Sequence, residues 1–85
     1  MRDGHSGYAV AIADFLRSVV WADDRVITDN TDLLAEGHLD SVGIMQLVLF
    51  FEEQWQIRIE SDQVSPRHFR TVAAMSKLLA IQSGA

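Results

Sequence analysis

Between Ser41 and Trp55 the apolar residues Ile44, Leu47, Val48, Phe51 and Trp55 recur at steps of three and four, the spacing of one helical face. A strand would send them to alternate sides. At about 100° per residue, Val42, Met45 and Leu49 fall on a second apolar strip more than a quarter-turn from the first, bordered by Gln46, Glu52 and Glu53. A helix in a small domain faces one core, so the second strip is a candidate surface for other proteins. Asp40 stands at the N-cap position, where its carboxylate accepts a backbone N–H from the first turn. A helix from Ser41 to about Gln54 follows.

The same period predicts a first helix from about Gly7 to Val20, with Tyr8, Ile12, Phe15, Leu16 and Val19 inward and Ser6 as its cap. Residues 22–39 hold no sustained period and are rich in Asp, Asn, Thr and Gly. They read as a long loop pinned by Trp21, Val26, Ile27, Leu33, Leu34 and Leu39. Ile57-Arg58-Ile59 has no partner strand and reads as a connector that buries two isoleucines. Ser65-Pro66 caps and opens a short third helix through Phe69. Thr71 caps a fourth, with Val72, Met75, Leu78 and Leu79 inward, before a frayed tail from Gln82 to Ala85. The fold class expected is all-α: a single domain over residues 1–85 forming a four-helix bundle with a long first loop, a short third helix and flexible ends at about 1–6 and 82–85.

Composition narrows function. Eighty-five residues make a small core and leave little room for a deep catalytic cleft. A formal net charge of −5 opposes approach to a phosphate backbone, so no nucleic-acid partner is expected. With no cysteine there is no disulfide scaffold, thiolate chemistry or cysteine zinc site. The longest apolar run, Leu47 to Phe51, is far below the ~20 residues that span a bilayer, and Met1 to Gly7 leads into no signal-peptide core. A cytoplasmic monomer without a membrane partner is the expectation.

Ser41, the first residue of the second helix, has a hydroxyl free at the surface where unpaired N–H groups and the positive end of the helix dipole favour an anion. A phosphoester there would be stabilised by ~0.3–1 kcal/mol at an exposed site. Asp-Ser before an apolar helix is, taken alone, ordinary capping. The longer context is more specific: Leu33-Leu34-Ala35-Glu36-Gly37-His38-Leu39-Asp40-Ser41-Val42, then Leu47-Val48 and Glu52-Glu53-Gln54-Trp55, resembles the signature of acyl and peptidyl carrier proteins. The likeness runs over nearly the whole chain and includes Pro66-Arg67-His68-Phe69-Arg70-Thr71-Val72 at the closing helices.

The resemblance implies that Ser41 is esterified with 4'-phosphopantetheine, derived from coenzyme A, whose thiol carries an acyl or aminoacyl chain as a thioester. It implies that Asp40 caps the helix and helps present the serine to the metal ion of a phosphopantetheinyl transferase. Val42, Met45, Gln46 and Leu49 would form the partner-reading face, with Glu52 and Glu53 offering charge to basic residues opposite. The partners implied are that transferase, an acyl- or aminoacyl-adenylate ligase, and a downstream condensing, tailoring or transferase enzyme. On this reading the chain is not itself an enzyme. Fatty-acid-synthase carriers typically show acidic residues two and five places after the serine, where this chain has Gly43 and Gln46. The more apolar face is more similar to discrete carriers of nonribosomal peptide or polyketide pathways. Gln54-Trp55-Gln56-Ile57 also replaces the commoner phenylalanine-glycine step that ends the helix.

Other residues receive plainer readings. His38, Asp40 and Ser41 are the residue types of a hydrolase triad, but near-neighbours in sequence rarely assemble one. His38 reads as a solvated loop residue or one that touches a bound cofactor or partner, and with His5 and His68 it forms no metal-ligand spacing, so no metal site is assigned. Phe50 is left for the bundle edge or the first loop, Trp21 and Trp55 for the core or its rim. Arg67 and Arg70 make a small basic spot, read as a solvated face or else as a contact for a partner or the cofactor phosphate, and Ala73 and Ala74 mark close helix packing. The alternative function is a non-covalent helical adaptor that uses the second apolar strip alone.

Overall fold

Among the described residues, four α-helices carry the chain in the computed structural model: α1 Gly4–Phe15, α2 Ser41–Trp55, α3 Pro66–Phe69 and α4 Val72–Gln82. The structure describes residues 4–23 and 25–84, with the side chains of residues 4–6 and 36 outside that description; Ser6, expected as the cap of the first helix, lies within α1 and not ahead of it. Short 3-10 turns occur at Ala35–Gly37 and Ser61–Gln63, and among the described residues there is no strand. The core draws on the helices and the segments between them: Ile12 from α1, Leu16 from the turn that follows it, Leu33 and Leu39 from the loop, and Leu47 and Phe51 from α2. Ile57 and Ile59 from the connector join Phe69, Val72, Met75 and Leu79 beneath them. Truncating a side chain as buried as Phe51 would cost about 3–5 kcal/mol, a large part of the ~5–15 kcal/mol that holds a small domain.

The first helix is helical from Gly4, three residues before the expected start, and its last turn, Leu16–Val20, is π-helical. There the Trp21 N–H reaches the Leu16 carbonyl at 2.8 Å, five residues back. This wider turn brings Val20 onto the core and leaves Val19 exposed, which corrects the inward place expected for Val19. Ala22, in the left-handed region at φ 56°, then turns the chain away.

The long loop is tied at both ends. Toward α3 and α4, the Leu33 N–H donates to the Arg70 carbonyl at 2.7 Å and the Ala73 N–H to the Asp29 carbonyl at 2.9 Å. Arg70 also donates to Asp32 at 3.0 Å, and the other Asp32 oxygen accepts the N–H groups of Leu34 and Ala35. Burial opposes the charge on Asp32, but the Ala35 N–H, Arg70 and the Leu34 N–H together hold its pKa below the ordinary value. Leu33 and Leu39 are buried, and Trp21, Ile27 and Leu34 pack on the core. Val26 is 91% exposed and is no anchor; consecutive side chains diverge in this unwound stretch and Ile27 takes the inward place.

Between α1 and α2 the aromatic rings decide the fit. Phe50 stacks on Phe15 with centroids 4.2 Å apart, and Trp55 meets Tyr8 edge-on at 4.9 Å. Phe50 thus covers the α1–α2 seam and not the loop. Gln56 ends α2 in the left-handed conformation at φ 56°, where glycine is the usual occupant. Pro66 opens α3 as expected, although the Ser65 side chain makes no cap bond; its carbonyl accepts the His68 and Phe69 N–H groups instead. Thr71 caps α4 through a 3.0 Å bond from the Ala74 N–H. Gln82 is the last residue of α4 and bonds the Arg58 carbonyl and Gln63, so the helix extends into the expected tail. No helix among the described residues is long and apolar enough to cross a membrane.

Candidate functional site

The start of α2 is built from its neighbours outward. Leu39 is buried and fixes where the loop enters the helix. Asp40 is extended, its carboxylate accepts the Gly43 N–H at 2.9 Å, and its carbonyl accepts the Ile44 N–H at 2.9 Å. One orphan donor of the first turn is thereby satisfied, while the Ser41 and Val42 N–H groups keep no intrahelical acceptor. Ser41 is exposed, and its hydroxyl makes no hydrogen bond to any described residue. The serine oxygen is therefore open to an incoming group.

Gly43 takes a different place from the one the sequence suggests. It is buried, and a Cβ added there would stand 2.7 Å from Leu39 Cδ1 and 3.1 Å from Val20 Cγ1. No acidic side chain fits in that space. The glycine is thus a packing requirement between the α1 end, the loop end and α2, and not part of the reading face.

That face lies along the opposite flank. Val42, Met45 and Leu49 are 65%, 55% and 55% exposed, with Gln46 half-buried beside them. Glu52 stands three residues past Leu49 and Glu53 four, both exposed, so the apolar strip ends in two carboxylates. The core stripe divides as the period predicts: Leu47 and Phe51 are fully buried, and Ile44, Val48 and Trp55 pack against them.

Behind the serine, the loop end forms a bonded cluster. Trp21 Nε1–H donates to the His38 carbonyl, and the Arg25 guanidinium lies 4.4 Å from the Trp21 ring centroid. Arg25 also stands 3.1 Å from His38 Nδ1 and pairs with Asp23 at 2.9 Å. The bond from Arg25 holds the Asp23 carboxyl below its usual range, and Asp23 raises the Arg25 pKa in turn. His38 is therefore a half-buried member of this cluster and not a solvated loop residue. Neither its ring nor the Asp40 carboxylate bonds the Ser41 hydroxyl, so the three triad residue types form no bonded chain. Arg25 has no periodic or motif signal, because it reaches Trp21 across an unwound segment.

The two expected basic residues separate. Arg70 is committed to Asp32, whereas Arg67 makes no ion pair among the described residues. No group of three or more His, Cys, Asp or Glu gathers to hold a metal ion among the described residues. Compared with known proteins, the chain matches no protein-family model, no curated protein and no solved structure.

Proposed function

We propose that this chain is a discrete carrier protein that bears an acyl or aminoacyl chain on a 4'-phosphopantetheine arm attached to Ser41. The observation that carries the reading is the exposed, unbonded Ser41 hydroxyl at the first position of a capped helix, beside the Val42, Met45 and Leu49 strip. The site fits the group in three ways. The oxygen is exposed and unbonded, the orphan N–H groups of Ser41 and Val42 favour a phosphate, and Asp40 holds the helix start while its second oxygen stays available.

In the attachment step the Ser41 oxygen attacks the phosphorus on the pantetheine side of coenzyme A's pyrophosphate. A serine–phosphate bond forms, the adenosine-bearing phosphate leaves, and the serine proton passes to a separate phosphopantetheinyl transferase. When bound, the arm supplies a terminal thiol that holds the cargo as a thioester. The chain's own residues then present the arm: the helix start fixes the phosphate end, and Val42, Met45, Gln46 and Leu49, with Glu52 and Glu53, offer a surface to each visited enzyme. The bundle expected is of the acyl-carrier-protein type, working as a cytoplasmic monomer that is loaded by an adenylate-forming ligase and discharged by a condensing, tailoring or transferase enzyme. The apolar strip favours a nonribosomal peptide, polyketide or related specialised pathway.

The test is intact mass spectrometry after incubation with coenzyme A and a broad-specificity phosphopantetheinyl transferase. One cofactor mass should be gained by the wild-type chain and none by Ser41→Ala. No gain, or a gain that persists in Ser41→Ala, would falsify the proposal. The same exposed strip supports a second reading, a non-covalent adaptor, under which Ser41→Ala keeps partner binding and Met45→Glu abolishes it.

A further inference from the structure

A second recognition surface lies on the face shared by α3 and α4. A groove of about 430 Å³ runs there, floored by Ala73, Ala74 and Leu78 and rimmed by Arg67, Lys77 and Ile81. It shares no residue with the Ser41 site or the Val42 strip. Ala73, Lys77 and Ile81 follow one i, i+4 line of α4 and Ala74 and Leu78 the next, so the groove extends over two turns, about 12 Å. The alanines create the depression. Ala73 is exposed and Ala74 half-buried, so they do not serve only the close packing expected from the sequence, and Ile81 stands 66% exposed at the far end.

Charge says what belongs in it. Arg17, Arg25, Arg58 and Arg70 are each paired with a carboxylate, to Asp14, Asp23, Glu60 and Asp32. Among the described residues, Arg67 and Lys77 are the guanidinium and ammonium with no ion pair, and both border this groove. Half-buried His68 adds a third nitrogen base on the α3 side. In a chain of formal net charge −5, the described cations without an ion pair thus meet at one apolar depression.

We infer that this groove docks an acidic segment of a partner protein, one that places Asp or Glu against Arg67 and Lys77 and an apolar side chain such as Leu or Phe over Ala74 and Leu78. Two rim cations are too few for nucleic acid, whose affinity scales with the number of phosphates neutralised. An anionic membrane would gain little from two cations against repulsion from the net negative chain, and a bilayer surface does not enter a concave groove. A second copy could offer its own Val42–Leu49 strip with Glu52 and Glu53, but such a head-to-tail contact leaves both ends unsatisfied and propagates. A contact this small is low-area and transient, suited to a partner that comes and goes.

The test selects from a displayed library of random 12-residue peptides against the full chain, then maps the synthesised peptides by amide shift changes. Enriched peptides should combine acidic with apolar residues, shift the amides of Ala73, Lys77 and Ile81, and weaken as salt is raised. Arg67→Glu with Lys77→Glu should cut their affinity at least tenfold, and Ala73→Leu should block them by filling the groove. The exposed positions of Arg67, Ala73 and Lys77 leave the fold intact, which the amide spectrum of each variant verifies. Ser41→Ala and Met45→Glu should not alter binding, which separates this surface from the carrier site. Four results would overturn the inference: enrichment of peptides without acidic residues, no enrichment at all, shifts confined to the Val42–Leu49 strip, or a concentration-dependent self-association that Lys77→Glu removes.

Discussion

At the scale of single residues, Ser41 and Gly43 stand two positions apart and answer to different constraints. The exposure of Ser41 follows from helix phase and a capping aspartate, both of which depend only on local sequence. The role of Gly43 does not, because it is set by Leu39 and Val20 arriving from the loop and the α1 end. This contact yields a prediction. Gly43→Ala gains up to ~1 kcal/mol of helix propensity, but pushes buried Leu39 and half-buried Val20 away from α2 at a cost of ~1–3 kcal/mol. Net destabilisation of about 1 kcal/mol is expected in urea unfolding. Leu39→Ala, which opens the same space, should reduce the penalty of Gly43→Ala, a coupling that a double-mutant cycle reads directly. A Gly43→Ala penalty unchanged by Leu39→Ala would place the strain elsewhere.

At the scale of elements, α2, α3 and α4 were legible because period, cap and proline signals agree with one another. The failures cluster where the chain leaves the ideal helix. A π-helical turn adds one residue to one turn, which no composition marks, and it alone exchanged Val19 for Val20 on the core. Helix ends at Ala22 and Gln56 likewise lack the glycine that would announce them, since both residues hold a left-handed backbone without it. A left-handed non-glycine residue is strained by ~1–2 kcal/mol, against a gain in unfolded-chain entropy of ~0.5–1 kcal/mol when glycine replaces it. Gln56→Gly, which sacrifices an exposed 3.2 Å bond from its side chain to the Glu53 carbonyl, should therefore stabilise the fold. The gain expected is about 0.5–1 kcal/mol, or roughly 2–8 °C in Tm. Thermal unfolding followed by circular dichroism checks it, and a fall in Tm would show that the Gln56 side chain does more than end the helix.

At the scale of the whole molecule, the long loop is a strap that joins the first half of the bundle to the second. Its main fastenings, Leu33 to Arg70 and Ala73 to Asp29, are backbone bonds, which carry no side-chain signature and were invisible in the sequence. Asp32 is the exception, a titratable group at the centre of the strap, bonded to Arg70, Leu34 and Ala35. Because its folded pKa lies below the ordinary 3.8, the folded state binds fewer protons than the unfolded state between the two values. Its stabilising contribution is therefore complete above pH ~4, declines as pH falls through the folded pKa, and is absent below it. Asp32→Asn should lower the urea midpoint at pH 7, and the gap to the wild-type chain should close as pH falls from 3.8 through the folded pKa. Asp23, lowered by its bond from Arg25, acts in the same acid window, so the Asp32→Asn chain should retain a weaker acid transition and Asp23→Asn with Asp32→Asn a weaker one still. If the midpoint gap stays constant from pH 7 into acid, the carboxylate charge contributes nothing and the strap is held by its backbone bonds alone.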